Sequence, residues 1–410
     1  MIGEFDPKMS FSTNILEAGA YFREPATNPE QLPIHLATAH NAEDLDDLQK
    51  RYDEKGFCYN RYRNPNRSAL NELINYIEGN ENTETVCFGS GMGAICASVI
   101  ANTKAGDHIV SGDTLYGESV EIFTNILGKY GVDVTFVDFT DLDAIKAAVK
   151  PNTTLFYGET VANPVIAVPD IHAISEIAHA NNAILIIDNT FMTGALCKPL
   201  SLGADIVVNS LTKFYNGHSD ATAGSATGRP ELIKKVFGMQ QLMGNQAAPF
   251  DSWLVCRAVR TLELRVKKQS DNATALAAAI EKLPYIKAVY HPSLESCPQH
   301  DLATKQFNGH YGPMFSVILP EEAECPDWKE RMNKFMRTLK LCHYAMTLGG
   351  YRTTMSYPPM SSHSDLTREQ RYAMGITDGL LRFSVGIEDT NDLVNDFTNA
   401  LEAAYGDLRK

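Results

Sequence analysis

Asp170-Ile171-His172-Ala173-Ile174-Ser175-Glu176-Ile177-Ala178-His179-Ala180-Asn181-Asn182-Ala183-Ile184-Leu185-Ile186-Ile187-Asp188 is the stretch on which the fold turns. Its first part sets Ile171, Ile174, Ile177 and Ala178 on one face of a helix, and its last part is an unbroken apolar run closed by a carboxylate. A helical period that hands over to a short strand-like run is the repeating unit of a mostly parallel sheet covered on both faces. The same alternation extends from residue 85 to residue 226. Strands are predicted over 85–89, 108–111, 134–138, 155–158, 184–188 and 206–209, with helices over 93–102, 118–130, 141–149 and 170–181 between them. Ligands of such sheets bind beyond the carboxyl ends of the strands. The polar clusters of this chain fall there.

On either side the pattern changes. Residues 1–63 are polar and weakly periodic, better suited to an arm than to a core of their own. An α/β domain is read over 64–258. A long helix predicted over 250–279 leads into a smaller α+β domain, 259–410, which ends in a strand at 381–385 and a terminal helix. At 410 residues, with 44% hydrophobic and 21% charged residues, the chain has ample material for a buried core. A net charge of −14 gives a nucleic acid or an anionic membrane no electrostatic reason to bind. The start lacks a basic, then apolar, leader, and no apolar run approaches the ~20 residues of a membrane span, so a cytoplasmic protein is expected. Eight scattered cysteines without a Cys-x-x-Cys pair argue against a zinc knuckle or a disulfide framework, and no metal is expected.

Several strand ends carry chemistry. Gly89-Ser90-Gly91-Met92-Gly93 follows a strand and opens a helix, so small residues let the first-turn amides approach an anion. Dinucleotide-binding folds use the same device, with an acidic residue about 20 positions on, and Asp113 stands near that place. Asp188 closes its apolar run and needs a cationic partner to stay ionised, or else caps the next segment. A ring nitrogen carrying a proton is such a partner. In Asp205-Ile206-Val207-Val208-Asn209-Ser210-Leu211-Thr212-Lys213, one lysine follows an apolar strand and two hydroxyls suited to a phosphate. Tyr116 suits stacking on a flat ring, and Asn163 suits a bond to a phenolate oxygen or a turn before Pro164. Arg382, inside Leu380-Leu381-Arg382-Phe383-Ser384-Val385-Gly386, needs an anion, and a planar carboxylate matches its fork.

Taken in order, these segments resemble the pyridoxal-phosphate enzymes of cysteine and methionine metabolism: cystathionine γ-lyase, methionine γ-lyase, cystathionine γ-synthase and O-acetylhomoserine sulfhydrylase. The resemblance rests on 59–65, Ser90-Gly91-Met92, Leu115-Tyr116-Gly117, Asn163-Pro164, Asp188-Asn189-Thr190-Phe191, 210–213, Gly217-His218-Ser219-Asp220, Thr347-Leu348-Gly349-Gly350 and 382–386. It implies an aspartate-aminotransferase-like (fold type I) domain and pyridoxal 5'-phosphate as cofactor. It further implies that Lys213 forms the Schiff base and shuttles protons, Asp188 holds the pyridinium, Tyr116 stacks on the ring and Asn163 meets the phenolate. Ser90, Gly91, Met92, Ser210 and Thr212 would hold the phosphate, with Tyr59 and Arg61 arriving from a neighbouring subunit of a homotetramer built as a dimer of dimers. Arg382 would clamp the α-carboxylate of a small amino-acid substrate, near Tyr59 and Thr347. The implied activity is γ-elimination from a sulfur amino acid, with γ-replacement on an O-acylated homoserine as the runner-up.

The chain departs from these relatives where they differ among themselves. Glu118 stands where methionine γ-lyases carry a cysteine, and Gly117-Glu118-Ser119-Val120-Glu121 lacks the basic group typical of cystathionine-directed enzymes. Two added carboxylates suggest that Glu118 or Glu121 faces the far end of the substrate and favours a neutral or cationic tail, unless both are simply solvent-facing.

Overall fold

The computed structural model describes residues 9–18, 29–362, 364 and 366–408. Its large sheet has seven strands: β1 (Glu84–Phe88), β2 (His108–Gly112), β3 (Asp133–Val137), β4 (Thr153–Glu159), β5 (Ile184–Asp188), β6 (Ile206–Asn209) and β7 (Gly224–Gly228). They lie in the order β1-β7-β6-β5-β4-β2-β3. The six strands expected from sequence are all present, with ends displaced by at most two residues. Along β5 the side chains alternate as a strand requires: Leu185 and Ile187 join one core cluster and Ile186 the cluster on the opposite face. Burying each such side chain contributes roughly 1.5–3 kcal/mol.

The seventh strand, Gly-Ser-Ala-Thr-Gly, has no large apolar residue for a sequence pattern to detect. It runs against both neighbours, pairing Phe88 with Gly224 and Asn209 with Ser225. Its glycines are what admit it, since a Cβ on Gly224 would stand 2.1 Å from the Ser90 carbonyl oxygen. The ends of β1 and β6 are thereby held side by side.

The second sheet consists of β8 (Ala288–Tyr290), β9 (Met314–Ile318), β10 (His343–Tyr344), β11 (Thr354–Ser356) and β12 (Leu380–Ser384), ordered β10-β11-β12-β9-β8. Phe315, Phe335, Phe383 and Phe397 form its aromatic core. The single helix expected over 250–279 is instead two, Pro249–Val259 and Leu262–Glu281. At the break the Ala258 carbonyl accepts from Arg265 Nη2, whose guanidinium also donates to the carbonyls of Phe214 and Tyr215. Anchoring the turn after Lys213 wins over continuing the helix.

Within the arm, Phe11–Glu17 and Leu45–Asp53 are helical. Ile15 is buried, and Arg260 donates to the carbonyls of Ile15 and Ala18, so this part packs on its own chain.

Candidate active site

A cavity of about 740 Å³ opens at the carboxyl ends of β1, β2, β4, β5 and β6, with Arg382 reaching it from β12. Ser90, Gly91, Met92, Tyr116, Asn163, Asp188, Ser210, Thr212, Lys213, Thr347, Glu118 and Arg382 all line it. Tyr59 and Arg61 do not. The Arg61 guanidinium donates to the Gln241 carbonyl at 2.8 Å and lies over the Tyr62 ring.

Asp188 ends β5, and burial pushes its carboxyl up to about 6 against the opposing pull of two bonds from Thr190. Those bonds run from the Thr190 amide at 2.9 Å and hydroxyl at 2.5 Å to Oδ1, while the same hydroxyl accepts from the Ser210 amide at 2.8 Å. Thr190 thus couples the ends of β5 and β6. Across the sheet Asp188 faces Glu159, the last residue of β4. Burial and the adjacent Asp188 raise the Glu159 carboxyl well above its usual range. Glu159 Oε1 accepts from the Tyr116 amide at 2.7 Å and so anchors the backbone of a residue whose side chain lines the cavity.

Lys213 follows β6 in a turn closed by its amide to the Ser210 carbonyl. Burial, then the charge of Arg382, lowers its pKa, which favours a neutral amine. Arg382 is buried and held down at about 10 by desolvation, with Glu159 opposing. Its Nη1 donates to Asn163 Oδ1 at 2.7 Å, which orients the Asn163 amide with its N–H₂ still able to donate elsewhere. Burial, then Glu118, raises the Tyr116 phenol to about 12, so it stays protonated.

On the opposite side Ser90 caps the helix Gly91–Ala101, its hydroxyl accepting from the Gly93 amide at 3.0 Å. A Cβ on Gly91 would lie 2.7 Å from Ser210 Cβ, so glycine is what brings this turn against the β6 end. The Thr212 hydroxyl bonds the backbone of Ala223, donating at 3.2 Å and accepting at 3.0 Å.

Pyridoxal phosphate requires an anion at its ring nitrogen, an amine for its aldehyde, a flat partner for its ring and donors for its phosphate. Asp188, Lys213, Tyr116 and the turn 90–92 with Ser210 can supply these from one cavity. The raised Asp188 carboxyl is a further sign of fit, because a protonated ring nitrogen is the cationic partner its burial calls for. The sequence reading assigned no role to Glu159, Thr190 or Arg265. A carboxylate closing β4 as Asp188 closes β5 was the available signal for Glu159. Contacts made only on folding gave none for the others.

The sequence matches the family described as Cys/Met metabolism PLP-dependent enzymes over residues 12–402. It is 37% identical to an L-methionine gamma-lyase of Porphyromonas gingivalis over 401 residues, covering 97% of this chain and 98% of that one. It is 38% identical to a cystathionine gamma-lyase of Bacillus subtilis over 385 residues, covering 94% and 97%. A solved structure of cystathionine gamma-lyase from Lactobacillus plantarum complexed with L-serine superposes with a TM-score of 0.87 at 32% identity, covering 97% of this chain and 99% of that one. Sequence, sheet order and cavity therefore agree, and the chain belongs to the Cys/Met metabolism PLP-dependent enzymes.

Proposed function

We propose that the chain is a lyase that expels the γ substituent of a sulfur amino acid such as methionine, homocysteine or cystathionine. The substrate R–S–CH2–CH2–CH(NH3+)–COO− and one water give 2-oxobutanoate, ammonium and R–SH. What carries this reading is the convergence of Lys213, Asp188 and Arg382 on one cavity. Bound pyridoxal phosphate supplies an electron sink for the pair left at the substrate's α-carbon. Arg382, oriented by Asn163, receives the α-carboxylate and turns the α-hydrogen toward Lys213. The Lys213 amine takes that proton at Nζ, would give it up again toward the bound cofactor, and as a free amine takes one from the β-carbon, after which the thiolate leaves and can take the proton from the Lys213 ammonium. Tyr116, held through its amide by Glu159, covers the ring side and limits water.

In the same reading, residues 1–63 form an arm that carries Tyr59 and Arg61 to the phosphate of a neighbouring subunit in a cytoplasmic homotetramer. Their place outside the cavity of their own chain supports this. Residues 64–258 hold the cofactor and 259–410 supply Arg382 and Thr347.

A second reading of the substrate is favoured by the cavity wall. Among the described residues, Asp113, Glu118, Glu121, Glu159 and Asp188 line the cavity against two cations, Lys213 and Arg382, both of which already have roles. A neutral tail laid against Glu118 strips water from a carboxylate without replacing it. A guanidinium or ammonium on the γ substituent would return a charge-assisted bond worth about 1.5–3 kcal/mol.

The test reduces the enzyme with borohydride and maps the modified peptide by mass. It then assays 2-oxo acid from methionine, cystathionine, a cationic γ-substituted amino acid and O-acetylhomoserine, with and without added thiol. The label is expected on Lys213, with oxo acid formed without thiol. A label elsewhere removes the mechanism, whereas a thioether amino acid formed from O-acetylhomoserine and the thiol, with no oxo acid released in its absence, turns the assignment to γ-replacement.

A further inference from the structure

Glu78 ends the helix Pro65–Glu78, is 1% exposed and is not among the residues that line the cavity. Three donors converge on its carboxylate. Asn209 Nδ2 stands 3.0 Å from Oε1, Asn189 Nδ2 stands 3.2 Å from Oε2, and the Tyr215 hydroxyl donates to Oε1 in a short bond. Asn189 directly follows Asp188, Asn209 directly precedes Ser210, and Tyr215 lies just beyond Lys213. One carboxylate therefore grips three segments that bear the chemistry.

Two of the three donors are braced in turn. Asn189 Oδ1 accepts from the Thr160 hydroxyl at 2.8 Å, and its Nδ2 also reaches the Cys197 carbonyl at 2.9 Å. The Tyr215 hydroxyl accepts from the Gly194 amide at 3.1 Å, and Arg265 holds its carbonyl at 2.9 Å. Since every neighbour offers a hydrogen, an acceptor is what this position demands. Burial raises the carboxyl to about 7 even with those three bonds, and Lys198 adds a weaker electrostatic pull. An apolar side chain would fill such a place at lower cost. The cost points to a return in geometry.

We infer that Glu78 is a positioning residue that sets the separation of Asp188 from Lys213 and Ser210 by tying the ends of β5 and β6 to the turn after Lys213. It touches neither substrate nor cofactor. The inference rests on the roles proposed above for Asp188 and Lys213.

The test titrates apoprotein with pyridoxal phosphate, follows the visible absorption of the bound cofactor against pH, and records melting of the apoprotein. Glu78→Gln keeps the volume but turns an N–H₂ toward donors, and Asn209→Ser releases β6 while leaving the carboxylate its other two donors. The dissociation constant for pyridoxal phosphate is expected to rise about tenfold or more in Glu78→Gln and severalfold in Asn209→Ser, with the absorption–pH curve displaced in both. A lower melting temperature with unchanged affinity and an unchanged curve would mean that Glu78 is merely structural, and overturns the inference. If Glu78→Gln does not fold, Asn209→Ser decides by the same readouts. Wild type that takes up no pyridoxal phosphate overturns the proposed function and this inference together; uptake by wild type and both variants alike overturns the inference alone.

Discussion

At the cavity floor Asp188, Ser210 and Lys213 stand on or just beyond strands whose other residues are almost wholly buried, whereas the distal wall changes character repeatedly along its length. The wall begins as α-helix over Gly117–Glu121, passes into a π turn over Ile122–Ile126 and ends as a 3-10 turn over Leu127–Tyr130. A strand end cannot shift without breaking ladder bonds to both neighbours, and here Thr190 and Glu78 add side-chain ties. Irregular helix tolerates new side chains more readily, and of its polar residues Glu118 and Glu121 face into the cavity. A floor built this way suits a reaction common to a family. A wall built this way suits differences in substrate.

The contrast breaks first, if it breaks, at Lys213. Lys213→Ala is expected to lower kcat by about 10³-fold or more while leaving the melting temperature of the apoprotein close to wild type. Loss of less than tenfold, read in an oxo-acid assay, would move the proton-transfer role off the floor.

A smaller effect concerns the tie at Glu78. Because burial lifts the Glu78 carboxyl from 4.5 to about 7, the folded state holds its proton more tightly than the unfolded state does. The resulting stabilisation is complete below the unfolded value and lost as pH rises through the folded one. Lys198, Cys197 and Tyr215 are the ionisable groups around it, and of these Tyr215, through its hydrogen bond, and then Lys198 counter the rise. Urea unfolding of the apoprotein from about pH 5 to about pH 8 should therefore show a loss larger by on the order of 2–3 kcal/mol in wild type than in Glu78→Gln, with the raised carboxyls of Asp188 and Glu159 common to both. Equal slopes in the two proteins would mean that the buried carboxyl titrates as if exposed.

The smallest effect sharpens the wall. Glu118→Gln is expected to raise KM for a cationic γ-substituted amino acid by about fivefold to tenfold, with little change for methionine. An unchanged ranking of substrates would return Glu118 to the solvent-facing residues and leave the neutral sulfur substrate as the better reading.

Much of the floor was legible in the sequence because its signals are local. The run 184–188 closed by Asp188, the hydroxyls before Lys213 and the glycine turn at 89–93 each declare themselves within one strand and its exit. Arg382 stood out as a cation in an apolar strand, and the structure brings it to Asn163 across 219 positions of chain. The strand β7 was missed because glycine, serine and alanine carry no period, although their smallness is what lets the strand insert between β1 and β6. The break at 260–261 was missed because helical spacing continues through it, while the deciding bonds run from Arg265 to Phe214 and Tyr215.

The sequence by itself determined the α/β alternation, the family likeness and which side chains stand at strand ends, since periodicity and strand exits depend on near neighbours along the chain. Only the tertiary structure decided that Glu159 lies against Asp188, that Thr190 joins β5 to β6, and that the last residue of the helix Pro65–Glu78 grips all three carriers of the chemistry. Those pairings join residues far apart in the chain, and their physical basis is burial: a polar group removed from water must find its partners wherever the fold brings them.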